Sequence, residues 1–347
     1  EPESLSSIKY NAPLDYASQG RCVTSEDYKV FAKKFFPNTQ SVQVFGGESG
    51  SFDTSLGVVS TPEYGKVFIA IESTTGNNLT DTEKSSLITA LSPFTVASIT
   101  PVIVDTQSTN LILGVTFQFD SSKTTETTTS LASLVSSTLI NYNTSNLAQF
   151  DGAFRHSKVT GLIDDTDTSI TSNITTVTLA HNLTPTLSTA TAYTIQLNNA
   201  FYNPHSGHNS SSGGVLASTG FKVSGDTTNV QFFDDDGAGN IRRYTLVAGV
   251  RQYQNNTAGT ITYTTGEIKI SSVNITSVEN VDEVASSAIR LTVTPDSLDI
   301  IPVRNQILKI DFVNTNINGS LDTIATGDSS AGTVTTTTST YVTPSSY

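Results

Sequence analysis

Apolar residues recur at helical spacing in several segments of the first half of the chain. A stripe at i, i+3, i+4 and i+7 predicts a helix between a potential cap, Thr24 or Ser25, and a helix breaker, Pro37. A second helix is predicted after a capping box made by Thr80 and Glu83, a third over residues 124–142, and a short one over 154–163. The stripe residues of the first three are Tyr28, Phe31, Ala32 and Phe35; Leu87, Ile88 and Leu91; and Leu131, Leu134, Val135, Thr138, Leu139 and Tyr142.

Alternating or continuous apolar runs between these helices predict strands. Residues 106–109 are polar and predict a turn between two of them. The order β-α-β-β-α-β over residues 63–185 predicts a split βαβ, ferredoxin-like domain, in which two helices cover one face of an antiparallel sheet. The predicted strands of this domain are 66–72, 99–105, 110–119 and 174–179, and a further strand is predicted before it at 41–45.

Helical patterns end after Pro185, and short strand patterns separated by turn residues take over. The fold class predicted for the whole chain is α+β followed by mainly β. Residues 1–23 are expected to be irregular and extended, residues 46–62 and 198–214 to be loops, and the Ser/Thr-rich tail to be flexible. The predicted strands are 193–197, 220–223, 230–233, 241–247, 260–264, 267–270, 273–278, 289–294 and 306–312. The predicted domains are an entry segment 1–62, the split βαβ domain 63–185, a β-rich domain 186–318 that includes a dimerisation region, and the tail 319–347.

Composition and charge narrow the function. Only 14% of the residues are charged, and Thr, Ser and Asn take their place, as is typical of strands with solvated faces. The net charge of −13 argues against binding to nucleic acid or to an anionic membrane, because both need clustered Lys and Arg. The sequence shows no signal peptide and no apolar run long enough to cross a bilayer. Since the chain contains no Met, we expect it to be processed or to be part of a longer protein.

Asp234, Asp235 and Asp236, followed by Gly237, are the most conspicuous candidate for chemistry. Aligning Gly237 with the glycine of a calcium loop leaves its first and last ligand positions to Phe232 and Arg243, so the favoured interpretation is a β-hairpin turn and the alternative is an ion site. The acidic residues 164, 165 and 167 likewise predict a solvated helix end.

Histidine and cysteine residues offer no clear site. His205 and His208 could share a zinc ion, but zinc needs three or four protein ligands, so a polar loop is favoured. His156 and His181 have no catalytic neighbours in the sequence. The single cysteine, Cys22, excludes intrachain disulfides and is expected to be a small apolar residue, with a reactive thiol as the alternative. We therefore predict no catalytic, cofactor-binding or metal-binding residues, no cofactor and no enzymatic activity.

An ordered series of motifs between residues 16 and 71 resembles the central module of the baseplate wedge proteins of T4-type contractile-tailed phages, in the baseplate J-like superfamily. The hairpin around residues 232–244 and the segment 262–268 are similar to the β-rich C-terminal part of the same family. The resemblance identifies the chain with the C-terminal half of such a protein. The motifs are Arg21-Cys22-Val23-Thr24 with Asp27-Tyr28, then Pro37-Asn38, Gly46-Gly47-Glu48 and Tyr64-Gly65-Lys66-Val67.

The resemblance implies a late, structural virion protein of the tail baseplate, assembled in the host cytoplasm. It implies a homodimer that binds other wedge proteins and the sheath-initiator protein, and a ring around the tail hub that rearranges when the sheath contracts. We expect residues 198–214 and nearby strands to make subunit contacts. The alternatives are a Thr-rich β adhesin or receptor-binding module and, third, a tail-associated polysaccharide-degrading enzyme, against which the absence of Trp argues.

Overall fold

A computed structural model describes residues 5–53, 57–208, 214–280 and 285–323. The helices are α1 (Leu5–Ser18), α2 (Ser25–Phe35), α3 (Asp81–Leu91), α4 (Thr128–Tyr142) and α5 (His156–Asp164). The strands are β1 (Thr39–Gly46), β2 (Ser51–Asp53), β3 (Gly57–Val59), β4 (Lys66–Ser73), β5 (Thr100–Val104), β6 (Gln107–Phe119), β7 (Ile170–Leu183), β8 (Ala190–Gln196), β9 (Leu216–Ser218), β10 (Phe221–Val223), β11 (Asp226–Asp235), β12 (Asn240–Val247), β13 (Val250–Thr262), β14 (Glu267–Val278), β15 (Ile289–Val293), β16 (Gln306–Ile310) and β17 (Asn316–Leu321).

The first unit, here called the head (residues 24–104), is a three-stranded sheet with two helices on one face. Strand β4 lies in the middle, antiparallel to β1 and parallel to β5, and α3 makes the crossover between the two parallel strands. Both helices begin at capping boxes, where Thr24 pairs with Asp27 and Thr80 with Glu83, which confirms the predicted helix starts. Their predicted apolar stripes pack on the sheet through Tyr28, Phe31, Ala32, Leu87 and Leu91.

The second face of the head sheet packs on the rest of the molecule. Phe68 and Ala70 alternate with the helix-facing residues of β4 and contact Phe150 and Ile307. The head sheet is therefore buried on both faces, which explains why β4 has a nearly continuous apolar sequence.

The remainder, here called the body (residues 107–323), is built on one sheet of twelve strands. Strands β6 and β7 form a long antiparallel pair, and α4 and α5 cover their core face with Leu131, Val135 and Val159. Parallel to β6, on its other edge, lie β16 and then β17. Further along the sheet, β10 pairs with both β11 and β14, so that the pairings from β10 to β14 close on themselves.

The split βαβ arrangement predicted for residues 63–185 is wrong. Strands β4 and β5 lie in the head sheet, whereas β6 and β7 lie in the body sheet. The predicted turn over 106–109 is also wrong, because Gln107 already pairs with Gln306 of β16. The element order alone could not reveal this, since β16 and β17, which occupy the second edge of β6, come from the far end of the chain. The molecule is mostly β with few helices, as the second half of the fold-class prediction stated.

Other predictions were partly correct. The segment 1–23, predicted to be irregular, contains α1, whose exposed Leu5, Ile8 and Tyr16 form no buried stripe that a pattern could detect. The predicted strands 267–270 and 273–278 form one strand, β14, and the predicted loop 46–62 contains β2 and β3. Strands β9 and β17 were missed, as were residues 250–259 of β13. Residues 319–321 of the predicted flexible tail belong to β17, and residues 324–347 lie outside the described part.

Candidate functional site

The acidic run predicted as a hairpin turn does connect two paired strands, β11 and β12. The carboxylate of Asp236 accepts hydrogen bonds from the backbone N–H groups of Ala238 (2.8 Å) and Asn240 (2.9 Å) and from the Asn240 side chain. Gly237 and Gly239 adopt φ of 71° and 108°, the left-handed region that glycine enters without strain. The turn interpretation is therefore confirmed.

Asp235 joins three parts of the body through one buried carboxylate. It accepts hydrogen bonds from the backbone N–H groups of Val215 and Leu216, both at 2.7 Å, as β9 begins. It also accepts from the N–H of Gly237 at 3.2 Å and from the hydroxyl of Tyr263 at 2.6 Å. Burial, together with the Asp235 carboxylate, raises the pKa of Tyr263, so the phenol remains a donor at neutral pH.

Asp234 points to the other face of β11 and meets two arginines. The Arg242 guanidinium donates to it from Nε at 3.0 Å and from Nη2 at 3.3 Å, and Arg251 lies 3.4 Å away. The hydroxyl of Tyr253 donates a further hydrogen bond at 3.0 Å. Burial raises the pKa of Asp234, and the arginines and the tyrosine oppose that rise. Charge neutralisation thus offsets part of the cost of burying this carboxylate.

The three aspartates are used as structural acceptors, and we call them with their partners the aspartate cluster. The described residues contain no group of three or more His, Cys, Asp or Glu side chains placed to hold a metal ion. We still predict that no ion binds at this turn. The hydrogen bonds favour that prediction, because they occupy the carboxylate oxygens that would have to bind calcium.

Part of the loop 198–214 packs against this turn. Asn203 Nδ2 and the backbone N–H of Gly207 both donate to the carbonyl of Gly237, at 3.2 and 2.9 Å. His205 and His208 lie side by side, with 3.2 Å between Nε2 of the first and Nδ1 of the second. The histidine pair is thus part of a loop that its own chain holds in place, and residues 209–213 lie outside the described part.

The other candidate side chains have structural surroundings. The imidazole of His156 lies 2.8 Å from the carbonyl of Thr175, and burial lowers the pKa of His181. Cys22 is fully buried, and burial, followed by the charge of Asp27, raises the pKa of its thiol to about 11. The thiol therefore stays protonated at neutral pH, which argues against the reactive alternative.

Charged and polar contacts that the sequence did not suggest join the head to the body. Lys309 of β16 lies 2.7 Å from Glu72 of β4, whose side chain is only 3% exposed. Arg304 donates to the carbonyls of Ser49 and Val58, at 2.7 and 3.0 Å. No local pattern reveals these pairs, because their members lie at opposite ends of the chain.

Exposed apolar side chains and unpaired strand edges mark the surfaces suited to contact other proteins. Leu246, Val247 and Val250 are 50%, 48% and 66% exposed at the tip of the hairpin formed by β12 and β13. None of the helices in the described ranges is long and apolar enough to span a bilayer. The exposed apolar tip and the strand edges favour contacts with other proteins, since both are pairing surfaces.

Comparisons with known proteins find similarity to phage baseplate proteins over about the first half of the chain. Residues 24–104 match the family described as baseplate structural protein gp6, C-terminal domain I, and residues 112–182 match its C-terminal domain III. The baseplate wedge protein gp6 of Enterobacteria phage T4 is 25% identical over 171 residues, which is 49% of this chain and 24% of that protein. The resemblance to the C-terminal region of a baseplate wedge protein is therefore confirmed.

A solved structure is also similar, though weakly. A chain in the cryo-EM structure of the anti-feeding prophage baseplate is 12% identical, over 50% of this chain and 37% of that one, with a TM-score of 0.35. That likeness is too low to support an argument. The chain spans about a quarter of the length of the T4 relative, so the activity and partners of a whole wedge protein are matters for proposal.

Proposed function

We propose that this chain is a structural subunit of a phage tail baseplate wedge. The observation that carries the proposal is the match of residues 24–104 and 112–182 to two C-terminal domains of a baseplate structural protein. The first match covers the head, and the second covers β7, α4, α5 and most of β6. The first match thus covers a folded unit, and the second covers one continuous part of the body.

A structural role without catalysis is also supported by the way the molecule uses its reactive groups. The aspartate cluster cross-links β9, the β11–β12 turn and the β13–β14 end of the sheet, and the Cys22 thiol is buried and protonated. The matched family is described as a baseplate structural protein, and the T4 relative is named a baseplate wedge protein, which favours the same conclusion.

The proposed assembly is a homodimer that also binds other wedge proteins and the sheath initiator, and that helps to form the ring around the tail hub. The ring would rearrange on sheath contraction. The region proposed for dimerisation is the loop 198–214 with nearby strands. Its most exposed aromatic side chain in the described part is Tyr202, which is 40% exposed and packs edge-on against His208.

Removing the gene from the phage that encodes this chain tests the structural role. We expect particles that lack complete baseplates and do not infect, and restoration by the gene supplied in trans. Complete, contractile tails assembled without the gene would contradict the proposal. So would particles that have normal tails but do not infect because they lack an enzymatic activity.

Light scattering of the purified chain across a concentration series tests the dimer. We expect Tyr202→Glu to weaken self-association by about tenfold, the effect of losing roughly 1.4 kcal/mol of contact energy. The matched control is Tyr64→Glu, at a head tyrosine that is 80% exposed, which should leave association unchanged. A strict monomer at high concentration would refute the dimer, and equal behaviour of the two variants would refute the location.

The adhesin alternative is not favoured, because the comparisons name baseplate proteins. Binding to a glycan array would revive it. The polysaccharide-degrading alternative requires depolymerase activity that one Asp or Glu substitution abolishes.

A further inference from the structure

His205 and His208 lie side by side because a tight turn brings them together. The backbone N–H of His208 donates to the carbonyl of His205 at 3.1 Å, which closes a β-turn over residues 205–208. Gly207, the third residue of that turn, has a φ of 77°, in the left-handed region that glycine enters without strain. The turn thus brings two imidazoles into contact, with their ring centroids 4.8 Å apart.

The turn that carries the pair is held on the body at Gly237. The backbone N–H of Gly207 and Nδ2 of Asn203 both donate to the carbonyl of Gly237, at 2.9 and 3.2 Å. A Cβ atom at position 237 would clash with the carbonyl oxygen of His208, so only glycine permits this close approach. The ring of Tyr202 packs edge-on against His208, with 5.4 Å between the centroids. Since the turn is positioned in advance, a ligand of the pair pays little entropy for ordering it.

The hydrogen bonds of the pair set the tautomer of His205. Its Nδ1 atom lies 3.3 Å from the carbonyl oxygen of Ser206, which can only accept, so Nδ1 carries the proton. Nε2 of His205 is then the unprotonated nitrogen and accepts from the Nδ1–H group of His208. A metal-binding histidine commonly donates its other N–H to a backbone carbonyl, which fixes the ring and its tautomer. The bond to Ser206 therefore gives His205 the tautomer that a ligand at Nε2 requires.

The separation of the two nitrogens matches a tetrahedral zinc site. Nε2 of His205 and Nδ1 of His208 are 3.2 Å apart. Two ligands with Zn–N bonds of about 2.0–2.1 Å at a tetrahedral angle stand about 3.3 Å apart. A shift of the His208 proton from Nδ1 to Nε2 frees Nδ1. Both nitrogens can then bind one ion, and no proton has to leave the protein.

One copy supplies two of the four ligands that a closed zinc site needs. Within the described ranges, no group of three or more His, Cys, Asp or Glu side chains is placed to hold a metal ion, so this part of the same chain does not provide the others. A twofold interface joins the same surface of both copies and therefore presents each residue twice. Two copies that meet at this turn provide four imidazoles.

The charge around the turn permits two copies to meet there. The protein has a net charge of −13, so two copies repel each other in general. Residues 197–221, in contrast, contain no Asp, Glu, Lys or Arg. Tyr202, beside the pair, is 40% exposed and offers an aromatic surface of the kind that anchors interfaces. A divalent cation at this place would add attraction where the chain itself adds no repulsion.

We propose that His205 and His208 of two copies bind one zinc ion at the dimer contact. Nε2 of His205 and Nδ1 of His208 from each copy hold the ion, which tightens a contact that the rest of the loop also makes. The inference rests on the proposed function, since it supplies a ligand for the dimerisation region at 198–214. It replaces the prediction of no metal-binding residues, which counted the ligands of a single chain.

Zinc titration of the purified full chain, after a chelator has stripped it of metal and been removed, tests this site. Light scattering and calorimetry should give one zinc ion per two chains and a dimer at least tenfold tighter with zinc than without. His205→Gln and His208→Gln should abolish the zinc effect. The matched control Ser206→Ala, in the same turn, should keep it, because only the backbone carbonyl of Ser206 contacts the pair.

Cobalt provides a readout that needs no variant. Tetrahedral Co²⁺ absorbs visible light far more strongly than octahedral Co²⁺, so the wild-type chain loaded with Co²⁺ should give the strong spectrum of a tetrahedral ion. A weak, octahedral spectrum would contradict a site made of four imidazoles.

The titration separates this site from the dimer itself. One zinc ion per chain without association would overturn the shared site, as would a zinc effect that survives in both histidine variants. A dimer that zinc does not strengthen would overturn the site and leave the dimer supported, whereas a strict monomer with and without zinc would refute both. The structural role is tested separately by removal of the gene.

Discussion

The head and the body bury their sheets by different means. The head covers one face of three strands with two helices whose apolar stripes, capping boxes and breakers are all local in sequence. The body extends one sheet across twelve strands and places β16 and β17 beside β6, far away in the chain. Inside that sheet, buried carboxylates act as cross-links between strands. In the body, buried polar contacts thus join strands that are distant in sequence.

The largest expected effect is at the joint between the two regions. Phe68→Ala should lower the free energy of unfolding by about 3–5 kcal/mol, because it removes a fully buried ring. Since that ring faces the body, the head should then unfold first, giving two transitions in denaturant. The control is Phe117→Ala, in the body core, with a similar loss and no early unfolding of the head. Identical unfolding profiles would show that the two regions are not separable in this way.

The aspartate cluster comes next in expected effect. Asp235→Asn should lower the free energy of unfolding by about 2–3 kcal/mol. The amide nitrogen of Asn is itself a donor, and it would face N–H and O–H donors that bond to the carboxylate in the wild type. Asp236→Asn is the matched control, since Asn also serves in turns, and should cost well under 1 kcal/mol. Chemical denaturation measures both. Equal costs would mean that the strand cross-links matter no more than the turn.

Sequence reasoning succeeded where the physics is local. The capping box of Thr80, the cap of α2 at Thr24 or Ser25, the stripe of α2 and the Asp236–Gly237 turn all depend on residues a few positions apart. Each was predicted correctly, although the capping box between Thr24 and Asp27 was not foreseen. The prediction of a ferredoxin-like sheet was wrong, because an apolar pattern shows that a segment is a strand but does not show which strand it pairs with. The Asp235–Tyr263 and Lys309–Glu72 contacts were missed for the same reason.

Helix capping in the head should have a smaller effect. Thr80→Ala removes the side-chain oxygen that accepts from the backbone N–H of Glu83 and should cost about 1 kcal/mol. The matched control is Thr82→Ala, at an exposed residue in the first turn of the same helix. It should change the free energy of unfolding by less than about 0.5 kcal/mol. A head insensitive to Thr80→Ala would mean that tertiary packing alone sets the helix start.

The smallest effect concerns pH. Backbone and side-chain hydrogen bonds from Thr80 hold the pKa of Glu83 below its ordinary value of 4.5. The stabilisation is therefore complete above pH 4.5 and is lost as the pH falls through the lowered pKa. The stability difference between the wild type and Glu83→Gln should shrink over that acidic range. A difference that grows on acidification would contradict the sign.

The central claim is that this chain is a structural part of the tail baseplate. Cryo-EM of tails from a phage that carries the chain with a small fused tag tests it directly. The account predicts tag density in the baseplate, repeated around the tail axis. Tag density absent from the tail, or found only on fibres, would contradict it.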